Sequence, residues 1–380
     1  MNDLSFPPAT ATGTTQPGTR RQPIPMIDCD MHNYIASDAA LLPYLDPAWH
    51  AHHREYGPRS HVALGFAGAP YPRSNGGGKR HDTKPPSGLP VGADFEFFKE
   101  NHFDLHGFQF GILNCLSRVG DQLNDQYDGA LARAMNDWLV KEWLERDARM
   151  RASLLIPYEN AELSVAELER IGKHPGFAQV FIRARVRDPL GSMKYWKIYE
   201  CAEQLGLPVA IHFAGMSRNP ITSSGWGSYY IEDHTTMSQA FQSHLISLVC
   251  NGVFERFPKL RVVLIEGGFA WLPPLMWRLD KHWRRLRSEV PHVRRLPSET
   301  IREHVRLTTM PMEEPAQPRH LLRVIEHLGS EEMLMFASDY PHWDYDNPER
   351  AFQVRLPDAL RRKIYFDNAN ALYRFTSGKA

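Results

Sequence analysis

The feature of this sequence that most restricts its fold is a repeated pattern in which a short apolar run ends at an acidic residue or a histidine. The carboxyl ends of strands meet in space when the strands run parallel in one sheet or barrel, and the catalytic groups of such folds lie on that face. The pattern therefore predicts one site that is built from residues far apart in the chain. These residues are Asp30 and His32 in PMIDCDMH, His212 in PVAIHF, Glu266 in RVVLIEGG and Asp339 in MLMFASDYP.

Eight segments have the composition of short strands, and segments with helical periodicity separate them. Several strand segments are continuous apolar runs, as expected for strands that are covered on both faces. In YDGALARAMNDW, Tyr127, Leu131, Met135 and Trp138 recur at helical spacing. Alternating strands and helices in this number predict an α/β fold, the (β/α)8 TIM barrel. The predicted strands are 26–32, 108–115, 151–157, 177–184, 208–214, 261–267, 304–310 and 333–339, and the other predicted helices are 160–172, 192–205, 236–251, 270–287 and 317–328.

The domain organisation follows from where the strand and helix pattern begins and where it is interrupted. Residues 1–22 are rich in Thr, Pro, Gly and Ala, which predicts a disordered tail, and residues 23–380 are predicted to form a single barrel. The long insertion 46–107 follows the first strand, and a second insertion, 215–235, follows the strand that carries His212. Long loops inside a compact domain are commonly functional, so we expect 46–107 to act as a lid.

Composition excludes several classes of partner. Lys+Arg and Asp+Glu number 44 each and the formal net charge is +0, which argues against nucleic acid or an anionic membrane surface as a partner. No apolar run approaches the ~18 residues of a membrane-spanning helix. The four cysteines are far apart and form no CxxC pair, which predicts free thiols in a reducing compartment and hence a cytoplasmic location.

The residue types at the predicted strand ends favour a metal site. Asp28, Asp30 and His32 alternate along the first strand, so we expect all three to point into the barrel. Two aspartates and two histidines, with His212 and Asp339 arriving from other strands, suit a divalent metal better than a nucleophile dyad. Burial of an unpaired carboxylate in a strand costs free energy, so the position of Asp30 indicates a functional role. Asp28 is expected either to orient a ligand or to be structural.

Four longer motifs carry a resemblance to a known family. IDCDMHNY, AIHFAG, VFERFPKLRVVLIEGGFAWLPPLMWRLD and FASDYPHWD resemble the amidohydrolase-related enzymes of the amidohydrolase 2 type. Within that superfamily they are similar to the branch typified by aminocarboxymuconate-semialdehyde decarboxylase and the resorcylate and carboxyvanillate decarboxylases. The resemblance extends from about residue 24 to about residue 376, and its motifs are specific in combination.

The resemblance implies one divalent ion, zinc or manganese, bound by Asp30, His32, His212 and Asp339. The first-strand pair of the family is usually HxH or ExH, so DxH in this chain retains an anionic ligand. Family decarboxylases carry a histidine that acts as acid/base at the position of Glu266. Three interpretations of Glu266 stay open: an acid/base with a shifted pKa, an additional metal ligand, or a structural partner of a basic residue.

The resemblance also implies which residues contact the substrate. Arg278 corresponds to an arginine that grips a substrate carboxylate from the neighbouring subunit, which implies a homodimer and suits the bidentate guanidinium. His342 and Trp343 are expected at the mouth of the pocket. Independently of the resemblance, the second insertion carries Trp226, Tyr229, Tyr230 and His234, which are expected to form an aromatic lid. Such a lid favours a small aromatic or unsaturated substrate.

Two enzymatic functions and one non-enzymatic function are compatible with these residues, and the fold does not choose among them. In a decarboxylase, Asp339 or Glu266 would deliver a proton to the carbon that loses CO2. In a hydrolase of an ester, lactone or amide, Asp339 would take a proton from water and Glu266 would assist the leaving group. A non-catalytic binding barrel is the remote alternative. The resemblance and Arg278 favour the decarboxylase, whereas Glu266 favours the hydrolase, and we expect a decarboxylase.

Overall fold

Eight parallel strands form one sheet in sequential order, which confirms the predicted (β/α)8 barrel. The computed structural model describes residues 24–58, 78–213, 220 and 222–375. The predicted tail 1–22 lies outside the described residues, as do parts of both insertions. The strands are β1 (Ile27–Met31), β2 (Phe110–Leu113), β3 (Met150–Leu155), β4 (Phe177–Arg183), β5 (Val209–His212), β6 (Val262–Ile265), β7 (Val305–Thr308) and β8 (Leu334–Met335).

Each predicted helix is present, and further short helices occupy the connections. In the described residues three π-helical segments (Lys99–Asp104, Val140–Leu144 and Lys363–Asp367) extend or connect α-helices. The α-helices of the described chain are α1 (His50–Tyr56), α2 (Phe95–Phe98), α3 (Asp125–Leu139), α4 (Ala161–Ile171), α5 (Trp196–Leu205), α6 (Tyr230–Thr235), α7 (Met237–Cys250), α8 (Val253–Arg256), α9 (Leu272–Leu286), α10 (Pro297–His304), α11 (Arg319–Leu328), α12 (Asp358–Arg362) and α13 (Asn368–Tyr373).

Local sequence explains where the main helices begin and end. Asn124 and Asn160 precede α3 and α4, and each side chain accepts a hydrogen bond from the backbone N–H three residues later. α5 and α11 end at Gly206 and Gly329, whose left-handed φ angles of 71° and 72° suit glycine. These signals set the helix lengths, and thereby how far each helix extends along the barrel.

The barrel closes between β1 and the segment that follows β8. The backbone N–H of Cys29 donates to the carbonyl of Phe336 (3.0 Å), and that of Asp339 donates to the carbonyl of Asp30 (3.0 Å). The N–H of His32 donates to the carbonyl of Tyr340 at 2.7 Å. Closure therefore places β1 beside the segment that follows β8, although the two are about 300 residues apart in sequence.

The apolar core has two layers. A large outer layer lies between the strands and the helices. A smaller cluster fills the inside of the barrel with strand residues such as Ile27, Cys29, Ile112 and Val263, and Ala369 of α13 packs against it. Because this cluster is apolar, the polar residues of the interior are confined to the layers above it.

The prediction that Asp28, Asp30 and His32 share one face is wrong for Asp28. The register between β1 and β2 shifts between Asp28 and Met31, which breaks the strict alternation of the strand. The carboxylate of Asp28 instead accepts hydrogen bonds from the backbone N–H of Asp30 (3.1 Å) and of Ser338 (3.0 Å). It also lies 2.9 Å from Nε2 of His102. Asp28 thus ties β1 to the segment after β8 and holds the backbone beside Asp30 and Asp339.

The described end of insertion 46–107 pairs with the segment after β8. Lys79 and His342 form an antiparallel bridge, the N–H of Arg80 donates to the carbonyl of Pro341 (2.9 Å), and the N–H of Trp343 donates to the carbonyl of Gly78 (2.8 Å). This pairing holds the end of the insertion beside the carboxyl ends of the strands. The lid function of the insertion and the single-domain assignment stay predictions.

Among the described helices, none has the length and apolarity needed to cross a membrane. The four cysteines are free thiols, as predicted. The cytoplasmic location stays a prediction.

Candidate active site

The structure brings together the four residues predicted to bind metal, and all four are fully buried. Nε2 of His32 lies 3.2 Å from Oδ1 of Asp30 and 2.7 Å from Oδ1 of Asp339. Nε2 of His212 lies 3.2 Å from the same oxygen of Asp30. Asp30 is in β1 and His32 directly follows it, His212 ends β5, and Asp339 follows β8. The predicted meeting of distant strand ends is therefore what the fold produces.

Backbone carbonyls orient both imidazole rings. Nδ1 of His32 lies 2.7 Å from the carbonyl oxygen of Asn114, and Nδ1 of His212 contacts the carbonyl oxygen of Phe213. Because a carbonyl only accepts hydrogen bonds, each Nδ1 carries the proton in these contacts. Nε2 of each ring is thus turned toward the aspartates, and a neutral ring presents a lone pair there.

Burial and close charges together shift the pKa values of these groups. Burial opposes the charged form of His32, but Asp30 and Asp339 outweigh it and raise the pKa of the imidazole to about 10. Burial likewise opposes ionisation of Asp30, but His32 and His212 outweigh it and lower the pKa of that carboxyl. For Asp339, His342 and His32 outweigh burial and lower the pKa.

Two carboxylate oxygens in this cluster lack a hydrogen-bond partner among the described residues: Oδ2 of Asp30 and Oδ2 of Asp339. Buried polar atoms of this kind are rare and costly, because burial removes their water. Carboxylate oxygens and imidazole nitrogens that face each other are the donor set of a divalent cation. One ligand atom from each of Asp30, His32, His212 and Glu266 lies within 4.8 Å of the others, and Asp339 belongs to a second such group, with His32 and His342. The residues present therefore fit a divalent ion.

Glu266 directly follows β6 and is buried beside this cluster. Its Oε2 lies 3.5 Å from Nδ1 of His212, which is the ring nitrogen that does not face Asp30. Burial raises the pKa of Glu266 well above its usual value, and the nearby charges of Asp339, Asp344 and Asp30 raise it further. Among the described residues its ion-pair contact is this histidine, not a lysine or an arginine. Glu266 is thus placed among the polar groups of the site.

The backbone is strained at two of the site residues. Glu266 has a φ of 60° and Asp339 a φ of 62°, in the left-handed region that residues other than glycine seldom adopt. In the described chain one other non-glycine residue, Arg374, has a positive φ. Strain of this kind costs on the order of 1–3 kcal/mol per residue and is concentrated at functional sites. Its presence at both acids supports a functional reason for their placement.

His342 lies beside Asp339 and His32 at the edge of the cluster, which we call the mouth of the site, and its contact with substrate stays a prediction. Its Nδ1 is 2.7 Å from Oδ1 of Asp339, and its ring stacks on that of His32 with centroids 4.4 Å apart. Its Nε2 lies 2.8 Å from the hydroxyl of Tyr34. The ammonium of Lys79 is 3.6 Å from the centre of the Tyr34 ring, and burial lowers the pKa of Lys79 to about 8. The mouth therefore combines flat rings with a cation.

Aromatic residues of the second insertion reach the same mouth. The indole N–H of Trp343 donates to the hydroxyl of Tyr230 at 3.1 Å, and the Trp343 ring lies 5.4 Å from that of His234. Nε2 of His234 is 2.9 Å from Oδ2 of Asp344. One ligand atom of Asp344 lies within 4.8 Å of ligand atoms of Glu266 and Asp339. Trp343 and His234 are thus brought to the site.

The structure does not place the two remaining predicted contact residues in this cluster. Trp226 is 40% exposed and its ring lies 5.7 Å from the guanidinium of Arg185. Arg278 is exposed on α9, next to Trp277, which is 53% exposed. Among the described residues, no hydrogen bond or ion pair joins Arg278 to the site. Its predicted contribution from a second subunit stays a prediction.

Sequence analysis missed Asn114, Lys79 and Asp344. Asn114 directly follows β2 and was recognisable by the same pattern as Glu266, because each is a polar residue at the end of an apolar run. Asp344 is the last residue of the FASDYPHWD motif and was available from that motif. Lys79 lies in a Gly-rich and Lys-rich loop, where no local pattern marks one residue.

Several known proteins are similar to this chain over most of its length. Gamma-resorcylate decarboxylase of Polaromonas sp. strain JS666 is 25% identical over 286 residues, which cover 71% of this chain and 85% of that protein. A dihydroxybenzoic acid decarboxylase structure from Polaromonas sp. JS666, with bound manganese and the inhibitor 2-nitroresorcinol, aligns with a TM-score of 0.64. Its identity is 21%, over 92% of this chain and 97% of that chain.

A third similar protein is the 5-carboxyvanillate decarboxylase of Novosphingobium aromaticivorans, whose structure contains manganese and 4-hydroxy-3-methoxy-5-nitrobenzoic acid. Its TM-score is 0.68 at 18% identity, over 93% of this chain and 96% of that chain. At these identities the structural likeness shows a common fold. The sequence model of the amidohydrolase family matches residues 27–375, which include every strand and the whole candidate site. The chain therefore belongs to the amidohydrolase family.

Proposed function

We propose that this protein is a divalent-metal-dependent decarboxylase of a small aromatic or unsaturated carboxylic acid. The observation that carries the proposal is the buried cluster of Asp30, His32, His212 and Asp339, with its unpartnered oxygens and inward-facing ring nitrogens. The relatives named above support the reaction class, because each is named as a decarboxylase of an aromatic acid.

One divalent ion would be held by Asp30, His32, His212 and Asp339. Their mixed oxygen and nitrogen donors suit zinc or manganese, and the manganese in both structural neighbours favours manganese. When bound, the ion would supply positive charge that attracts the substrate carboxylate. The hydrogen bonds to Asn114 and Phe213 keep the two rings oriented for this task.

The reaction needs one proton at the reacting carbon. The bond between that carbon and the carboxylate breaks, CO2 leaves, and the electron pair stays on the carbon, which then takes a proton. Asp339 and Glu266 are both buried at the site; Glu266, whose pKa is raised, is the better proton donor, whereas Asp339, whose pKa is lowered, would first have to take up a proton. The raised pKa of Glu266 favours its protonated form, whereas a cation beside it would act in the opposite direction. The flat rings of His342 and Trp343 at the mouth fit a flat substrate.

A second copy of the chain would complete the site with Arg278. The arginine is exposed on α9 beside the exposed Trp277, and large exposed aromatic residues are typical of contact surfaces. A guanidinium from the partner would hold a second anionic group of the substrate in a bidentate way. This arrangement requires a homodimer.

Glu266 is the specific observation that favours a second candidate function, hydrolysis of an ester, lactone or amide. A buried carboxylate beside Asp339 can assist a leaving group while Asp339 takes a proton from the attacking water. The two candidates are separated by one panel of substrates. Gamma-resorcylate and 5-carboxyvanillate would release CO2 from a decarboxylase, and aryl esters, lactones and amides would be cleaved by a hydrolase.

Purified wild-type protein is expected to contain about one manganese or zinc ion per chain, and His212→Ala is expected to lose it, because the variant removes one of four ligands. Elemental mass spectrometry measures both. His244→Ala is the matched control, since His244 is also a buried histidine but bonds to the carbonyl of Ala184. Metal retained in His212→Ala, or absent from wild type after supplementation, would contradict the metal assignment.

Asp339→Asn is expected to reduce CO2 release by at least about 100-fold, because the loss of a positioned acid/base typically costs 10²–10⁴-fold. The rate is measured on the acid that wild type turns over fastest, with circular dichroism to verify the fold. Asp358→Asn, at an exposed position on α12, should keep the wild-type rate. An Asp339→Asn rate above about a tenth of wild type would rule out a catalytic role for Asp339.

Glu266→Gln is expected to keep its metal, because Oε2 of Glu266 lies near Nδ1 of His212 and not near the nitrogen that faces Asp30. Its turnover is expected to fall at least about 100-fold, because in the proposed reaction this carboxyl transfers a proton. Metal content and rate are measured on the same preparation. A loss of metal together with activity would identify Glu266 as a ligand instead. A wild-type rate would make it structural.

Arg278→Ala is expected to raise KM about tenfold or more with unchanged metal content, while Arg284→Ala, exposed on the same helix, should change neither. At substrate concentrations well below KM, where Arg278→Ala alone is about tenfold slower, mixing it with the inactive Asp339→Asn should give about a quarter of wild-type activity, because half of the dimers are hybrids with one complete site. If unfolding and refolding the mixture together restores nothing, the arginine does not act across a subunit interface.

A further inference from the structure

Asn114 contacts two of the proposed ligands through different groups. It directly follows β2 and is fully buried. Its side-chain Nδ2 donates to Oδ1 of Asp30 at 2.8 Å, and its backbone carbonyl oxygen lies 2.7 Å from Nδ1 of His32. Its backbone N–H donates to the carbonyl of Met31, between those two residues, at 2.7 Å. Asn114 at the end of β2 therefore has hydrogen-bond contacts with three consecutive residues at the end of β1, Asp30, Met31 and His32.

A row of buried polar residues fixes the orientation of the Asn114 amide. The hydroxyl of Ser153 and Nε2 of Gln179 both donate to Oδ1 of Asn114, the latter at 3.2 Å. Oε1 of Gln179 accepts a hydrogen bond from the hydroxyl of Tyr373 in α13, at 2.8 Å. A flipped Asn114 amide would place its NH2 against that of Gln179 and its oxygen against the Asp30 carboxylate. The network thus admits one orientation.

We infer that Asn114 is a positioning residue that fixes Asp30 and His32 as a pair of metal ligands. The inference rests on the proposed metal site, and its evidence is the set of contacts at β2. The amide of Asn114 holds Oδ1 of Asp30, the oxygen that lies 3.2 Å from Nε2 of both His32 and His212, and Oδ2 of Asp30 has no partner in the described structure. Holding Nδ1 of His32 turns Nε2 toward Asp339 at 2.7 Å.

The DxH pattern gives this positioning a physical reason. Aspartate has one methylene less than the glutamate of an ExH pattern, so its carboxylate reaches less far and fewer of its orientations bring an oxygen to a shared ion. An amide donor on Oδ1 removes that rotational freedom before the ion binds. Removal of a residue that orients a metal ligand typically weakens metal affinity by about 10–100-fold.

The test is the affinity of chelator-stripped protein for Mn²⁺ alone, measured by isothermal titration calorimetry, so that no catalytic activity is needed. Asn114→Ala is expected to bind Mn²⁺ about 10–100-fold more weakly than wild type. Asn136→Ala is the matched control: Asn136 is equally buried and makes three hydrogen bonds, to Leu155 and Glu167, away from the site. Its Mn²⁺ affinity should stay within about threefold of wild type.

A second variant keeps the test decisive if Asn114→Ala does not fold. Ser153→Ala removes a donor that orients the Asn114 amide without touching a ligand, and it should weaken Mn²⁺ binding by about threefold to tenfold. Affinity within about threefold of wild type in Asn114→Ala, or in Ser153→Ala where the first variant is unfolded, overturns the inference. An equal loss in Asn136→Ala also overturns it, because the effect would then be one of general stability.

The same titration separates this inference from the proposed function. If wild type binds Mn²⁺ and Asn114→Ala binds it weakly, but no aromatic acid releases CO2, then the decarboxylase proposal fails and the positioning role stands. If wild type binds no Mn²⁺, the positioning role and the metal site are overturned together.

Discussion

The burial of Asp30, Asp339 and Glu266 at one end of the barrel is the constraint on which the site depends. Each side chain is less than a tenth exposed, and burial opposes the ionised form of each carboxyl. His32 and His212 face the aspartates and stabilise their charge, but two carboxylate oxygens still lack a partner in the described structure. The free-energy cost of burying these carboxylates has to be offset by another interaction, and a single divalent cation among their oxygens would offset it.

The fold meets this constraint because β1 and the segment after β8 close the barrel. Three backbone hydrogen bonds join them, and the carboxylate of Asp28 bonds to backbone N–H groups on both sides of the junction. The side chains of Asp30 and Asp339 are thus fixed by the hydrogen bonds that complete the sheet. A change in barrel closure would move both, so the stability of the fold and the geometry of the site share the same contacts.

The sequence predicted the eight strands, the main helices and the groups that meet at the site, because each signal is local. An apolar run that ends at an acid or a histidine is visible without knowing its neighbours. The direction of Asp28 was not predictable in this way, since it depends on the register shift against β2. The role inferred for Asn114 depends on contacts to Asp30 and Gln179, which are 84 and 65 residues away. Lys79 reaches the mouth because its loop pairs with His342.

Glu266 connects the charge of the site to the chemistry it can perform. With Asp30, Asp339 and Glu266 all ionised, the negative charge exceeds what one divalent cation neutralises, and a substrate carboxylate would enter against that excess. A protonated Glu266 removes the excess and leaves a proton beside the reacting carbon. An ionised Glu266 is compatible with a neutral ester or amide substrate, because such a substrate adds no further negative charge to the site. The ammonium of Lys79 at the mouth shifts this balance toward an anionic substrate, since it lies on the Tyr34 ring next to His342. The charge balance therefore agrees with a decarboxylase in which Glu266 enters the reaction as an acid.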